Sequence, residues 1–177
     1  SVLPSEARLP THCNAGPLAT GGIGTALGVI LRGHAQGRRF SVFADETRPL
    51  LQGARLTTWE LTRAGVPVTL QPDGAAASLI LDGGVDAVIV GADRIAMNGD
   101  TANKVGTLPL ALACARAKLP FYVAAPLSTL DPGLSDGDGI VIGEREGPGL
   151  SHWNELPLTP QGIEFRNPAF HVTPREP

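Results

Sequence analysis

"VDAVIVGAD", Val85–Asp93, is a nearly unbroken apolar run that stops at a carboxylate. A strand with one wet face alternates apolar and polar residues, whereas a continuous run belongs to a strand covered on both faces. The run is too short for a core helix and is bordered by Gly83-Gly84 and Gly91, so it reads as a buried strand. Similar segments lie on either side: "RLPTHCN" (8–14), "RFSVFAD" (39–45), "VPVTLQ" (66–71) and "PFYVAAP" (120–126). Helix-length segments separate them. These are "GGIGTALGVILRGHAQG" (21–37), "PLLQGARLTTWELTRAG" (49–65), the small-residue "GAAASLILDGG" (74–84), and "KVGTLPLALACARAK" (104–118), which Pro109 flaws. Such alternation predicts an α/β protein with a doubly wound, mostly parallel, Rossmann-like sheet. The 177 residues fit one domain. From 132 to 177 the chain is rich in Pro and Gly, and is expected to form an irregular C-terminal extension after one more short strand near "GIVIGE" (139–144).

Bulk properties exclude several classes. A net charge of −3 gives no electrostatic footprint for nucleic acid. No apolar run has membrane-span length, and no basic-then-apolar leader opens the sequence. Two cysteines, Cys13 and Cys114, make no disulfide framework, which points to a reducing cytoplasm. Neither CxxC nor a His/Cys cluster at ligand spacing occurs, so neither a metal nor any other cofactor is expected.

In open α/β sheets ligands bind beyond the carboxyl ends of the strands. There this sequence places His12-Cys13-Asn14, Thr20-Gly21-Gly22, "DETRP" (45–49) with Gln52, and "GADRIAMNGDTANK" (91–104). The glycine run invites a dinucleotide reading with Asp45 on a ribose, but Leu27 occupies the position of the third small residue. The glycines, Gly21 and Gly22 among them, then either let a helix pack closely on the sheet or offer amides to an anion such as phosphate. Cys13 reads either as a small buried residue or as a thiol acidified by a nearby helix N-terminus. Strand alternation turns His12 away from it. Asp93 ends an apolar strand, where desolvation raises a carboxyl pKa toward acid–base use; a loop-tying role is the alternative. Lys104, one of two lysines, suits phosphate or a plain surface, Cys114 suits the core, and Glu144-Arg145-Glu146 suits a solvated surface.

Taken together, "THCNAGPLATGGIGTALGVI", "VFADETRPLLQGARLTTWEL", "VDAVIVGADRIAMNGDTANKVGT" and "FYVAAPLSTLD" resemble the methylthioribose-1-phosphate isomerases. These are aldose–ketose isomerases of methionine salvage, in a superfamily with ribose-1,5-bisphosphate isomerases and the regulatory subunits of translation initiation factor 2B. The resemblance runs from about Leu9 to Asp131 and returns at "RNPAFHVTP" (166–174), where His171 replaces the usual Asp. It implies Cys13 and Asp93 as the catalytic pair, with Gln52, Asn103 and Lys104 contacting a sugar phosphate. It further implies a homodimer, and that this sequence corresponds to the family's C-terminal catalytic domain without its N-terminal helical one. Two alternatives accompany it: the ribose-1,5-bisphosphate reaction, and a non-catalytic regulatory or sugar-phosphate-binding module.

Overall fold

The computed structural model describes residues 2–177. In chain order it contains β1 (Glu6–Thr11), a single turn α1 (Pro17–Thr20), α2 (Ala26–Ala35) and β2 (Arg39–Asp45). A π-helical turn at Gly53–Thr57 then leads into α3 (Thr58–Arg63), followed by β3 (Val68–Gln71) and α4 (Ala76–Leu81). Next come β4 (Val88–Val90), β5 (Arg94–Ile95), β6 (Thr101–Lys104), α5 (Thr107–Ala117) and β7 (Phe121–Val123). Beyond these lie α6 (Pro148–Ser151), the small hairpin β8 (His152–Trp153) and β9 (Leu156–Pro157), and β10 (Phe170–Thr173).

The fold is α/β with parallel pairing at its centre. β1, β2 and β3 form one parallel sheet in that order, and β4 pairs with β7 in a second. The two sheets meet where the Asp86 amide donates to the Arg8 carbonyl (3.0 Å) and the Arg8 guanidinium grips the Asp86 carboxylate (2.9 Å). Two apolar clusters flank the strands. Ile89 joins Leu9, Val42, Leu27, Ile30 and Leu61 on the α2–α3 side. Val88 and Val90 join Ile80, Leu110 and Cys114 on the α4–α5 side. Alternate side chains of one short strand thus reach two cores, which is the physical reason for the unbroken apolar run.

Four expectations are corrected. Pro109 does not flaw α5, because it falls in the first turn, where backbone amides have no intrahelical acceptor to lose. "GIVIGE" forms no strand; only Glu144 makes an isolated bridge, to Pro168. "GADRIAMNGDTANK" is a β-hairpin rather than a plain loop, β5 pairing antiparallel with β6. The C-terminal segment is not wholly irregular: β10 pairs antiparallel with β6 in the register Phe170–Lys104 to Thr173–Thr101. These four β6 residues are mostly polar yet all buried.

Candidate active site

The chain leaves β1 at Thr11 and turns sharply at Cys13, which holds a left-handed conformation with φ +61°. An L-residue with a side chain rarely stays there without support. Support comes from two buried threonines: the Cys13 amide donates to Thr47 Oγ1 (2.8 Å), and Thr57 Oγ1 donates to the Cys13 carbonyl (2.6 Å). Thr57 ends the π-helical turn before α3, so that irregular turn fixes the thiol's backbone. From α3 the buried Glu60 accepts the Leu18 amide (2.7 Å), tying down the following loop.

His12 is buried and committed elsewhere, so it makes no catalytic pair with Cys13. Its Nε2 lies 2.7 Å from the Val105 carbonyl and its Nδ1 lies 3.1 Å from Asp45 Oδ2. A carbonyl only accepts, so Nε2 carries a proton. The contact with Asp45 needs a second proton, on ring or carboxyl. Burial pushes the Asp45 carboxyl up, while its bonds to His12 and Gln71 oppose the shift. The imidazole fills the space beside Gly106, at φ +109°, where any Cβ would collide with the ring. His12 therefore locks the end of β1 to the junction between β6 and α5. Ligand atoms of His12, Asp45 and Asp73 lie within 4.8 Å of one another, a spacing that could hold a metal ion. Each carboxylate already accepts hydrogen bonds, however: Asp45 from Gln71, and Asp73 from the amides of Thr47 and Arg48. The cluster is accounted for as a hydrogen-bonded network.

Asp93 emerges just past β4 at the protein surface, and its amide is bonded to the Ala102 carbonyl on β6 (2.9 Å). No hydrogen bond or ion pair engages its side chain among the described residues, so the loop-tying alternative falls to its backbone alone. Lys104, the last residue of β6, is buried; its Nζ donates to the Ala169 carbonyl (3.3 Å) and sits 4.6 Å from the Phe170 ring centre. Partial desolvation raises the Asp93 carboxyl, with the charges of Lys104 and Arg145 working against it. Desolvation also lowers the Lys104 ammonium, which Cys13 and Asp93 favour and Arg145 disfavours.

The same balance corrects the reading of Cys13 as an acidified thiol. Burial raises the thiol, and the Asn14 amide, Lys104 and Arg145 only partly offset it. The one-turn α1 begins four residues further on, too far and too short to dominate. Cys13 and Asp93, 80 residues apart in sequence, and Lys104 at the end of β6 nevertheless act on one another's charge.

The other expected residues divide. A cavity of about 490 Å³ is lined by Asn14, Gly22, Gly24, Asp93 and Thr129 among others, so Gly22 faces the same space as Asp93. Gly21 instead caps α1, its amide bonded to the Pro17 carbonyl (2.9 Å), and is spent. Gln52 precedes the π-helical turn and keeps a buried Oε1 without a partner among the described residues. Asn103 neighbours Lys104 on a strand, which points the two side chains oppositely. Its amide donates to Thr107 Oγ1 (2.9 Å) at the start of α5. Sequence reasoning missed the two threonines, hinted at only by the density of Thr after the second strand, and took Arg145 for solvated surface.

Comparison with known proteins gives the family. The model of the initiation factor 2 subunit family matches residues 1–177, and the chain belongs to that family. A curated methylthioribose-1-phosphate isomerase of Gemmatimonas aurantiaca is 60% identical over 175 residues, covering 99% of this chain and 49% of that protein. Among solved structures, 5-methylthioribose 1-phosphate isomerase from Pyrococcus horikoshii OT3 superposes with TM-score 0.93 at 46% identity, covering 99% of this chain and 49% of that one. Translation initiation factor eIF-2B, subunit delta, from A. fulgidus superposes with TM-score 0.92 at 43% identity, covering 96% and 49%. The chain thus spans about half the length of the curated relatives it matches.

Proposed function

We propose that this chain carries the catalytic half of an aldose–ketose isomerase acting on 5-methylthioribose 1-phosphate. The observation that carries the reading is the approach of three segment ends: the His12–Val105 bond sets the turn carrying Cys13 against the end of β6, and the Asp93 amide bonds Ala102, two residues before Lys104. In the substrate the anomeric oxygen bears phosphate, so the ring cannot open unaided. Asp93 gives a proton to the ring oxygen as the C1–O4 bond breaks, and recovers one from the C2 hydroxyl as that carbon becomes a ketone. Its raised pKa suits both halves of that exchange. Cys13, once ionised, takes the C2 proton to leave an enol phosphate and returns it at C1. Lys104 and Arg145 favour that ionisation against burial. Gln52, with a bare acceptor, and Gly22 are further substrate contacts, and Lys104 meets the anion. Leaving Gln52 Oε1 unpaired costs about 1–3 kcal/mol, which a substrate hydroxyl would remove.

The supporting architecture is a single doubly wound sheet in the order β3-β2-β1-β4-β7, an order favoured by the Arg8–Asp86 bonds across its middle. A cytoplasmic homodimer completes the reading. Substrate deuterated at C2 distinguishes proton transfer from a direct hydride shift: proton transfer through Cys13 exchanges part of the label with water, and full retention at C1 overturns the Cys13 role. Replacing Asp93 by Asn lowers turnover by roughly 10²–10⁴-fold. An Asn variant of undiminished rate refutes the assignment.

A further inference from the structure

Arg145 sits in the segment most easily dismissed as solvated surface, yet its position is built. The Gly143–Glu146 stretch is laced to residues 167–169. Arg145 N donates to the Asn167 carbonyl (2.8 Å), and Asn167 Nδ2 donates to the Glu146 carbonyl (3.0 Å). Ala169 N donates to the Gly143 carbonyl (3.1 Å). The same Ala169 offers its own carbonyl to Lys104 Nζ (3.3 Å) and to the Val105 amide (3.4 Å). One residue therefore ties the Arg145 segment to the end of β6, and Asn167, buried, holds the segment in register.

The charges around it are arranged in one direction. Glu144, next in sequence, spends its carboxylate on the Asn167 amide (2.7 Å). Arg145 itself is exposed, and its guanidinium has neither ion pair nor hydrogen bond among the described residues. Its charge acts on Cys13, Asp93 and Lys104 alike. Arg145 disfavours the Lys104 ammonium while both cations favour an ionised Asp93 and Cys13, so the pair draws anionic groups and a dianionic ligand would satisfy both at once. Arginine is also the side chain that grips phosphate through two parallel N–H bonds.

We propose that Arg145 is a further substrate-binding residue, seating the phosphate group of the sugar together with Lys104. This rests on reading the rim as a sugar-phosphate site. The test uses inorganic phosphate as the probe and Cys13 alkylation by iodoacetamide as the readout, in this chain and in its Arg145→Gln and Arg145→Lys variants. Phosphate slows alkylation of the unaltered chain. In Arg145→Gln the concentration giving half-protection rises roughly tenfold or more, the loss of a charge-assisted bond. Arg145→Lys, which keeps the charge but not the fork, recovers part of it. Equal phosphate protection in the Gln variant and the unaltered chain overturns the proposal, as does a lack of protection in the unaltered chain. Isomerase activity is measured separately. Loss of the isomerase reading with the phosphate shift intact leaves a phosphate site of another use, whereas activity without the shift removes Arg145 alone.

Discussion

The two cysteines sit in opposite surroundings. Cys114 lies mid-helix on α5 among Ile80, Val88 and Leu110, and burial alone pushes its thiol up to about 11. Cys13 lies in a left-handed turn held by two threonines, and burial, reinforced by Asp93, raises its thiol there against two cations and a backbone amide. Desolvation is thus common to both, and what separates the two surroundings is the company of fixed charge at Cys13. That company comes from distant elements, β6 and the Gly143–Glu146 segment, rather than from neighbours in sequence.

The contrast can be broken most severely by exchange to serine. Cys13→Ser is expected to lower isomerase turnover by roughly 10²–10⁴-fold, while Cys114→Ser leaves it within about a factor of two. Steady-state assays of both variants decide it, and a crippled Cys114→Ser enzyme with an unchanged melting curve would reverse the roles. Next in size is the support beneath Cys13. His12→Ala leaves the buried Asp45 with Gln71 alone, and the lost hydrogen bond costs about 1–3 kcal/mol read from denaturant unfolding. A loss below about 1 kcal/mol would mean the pair contributes little. The smallest effect is in labelling. Because alkylation needs thiolate, the Cys13 rate climbs with pH through a midpoint above the ordinary thiol value, and Cys114 follows only near about 11. Mass spectrometry at intermediate pH should find Cys13 modified before Cys114; equal labelling would erase the distinction.

Much of the scaffold was legible because burial on both faces leaves an imprint that one sequence displays. The 39–45 strand emerges with the limits read for it, and the Gly65 stop sits just past α3 with φ +73°. Pro109 was misjudged because its effect depends on which residue begins the helix, and that is set by Gly106 with its positive φ. β6 was unreadable as a strand because its residues are polar and buried together, so neither alternation nor an apolar run marks it. Topology alone led to the expectation that Cys13 and Asp93 leave one edge of the sheet. Their actual supports, the His12 bridge to Val105 and the Thr47–Thr57 pair, are contacts across 93, 34 and 44 residues, for which no local pattern exists.

The β6–β10 pairing also has a consequence for how the protein matures. Synthesis proceeds from the N-terminus, and domains begin to organise as they emerge. The segment carrying Cys13 and Asp93 leaves the ribosome well before Ala169 and Phe170, which hold the Lys104 ammonium. A nascent chain therefore makes the end of β1 and the β5–β6 hairpin well before the strand that pairs with β6 and whose Ala169 carbonyl holds the Lys104 ammonium.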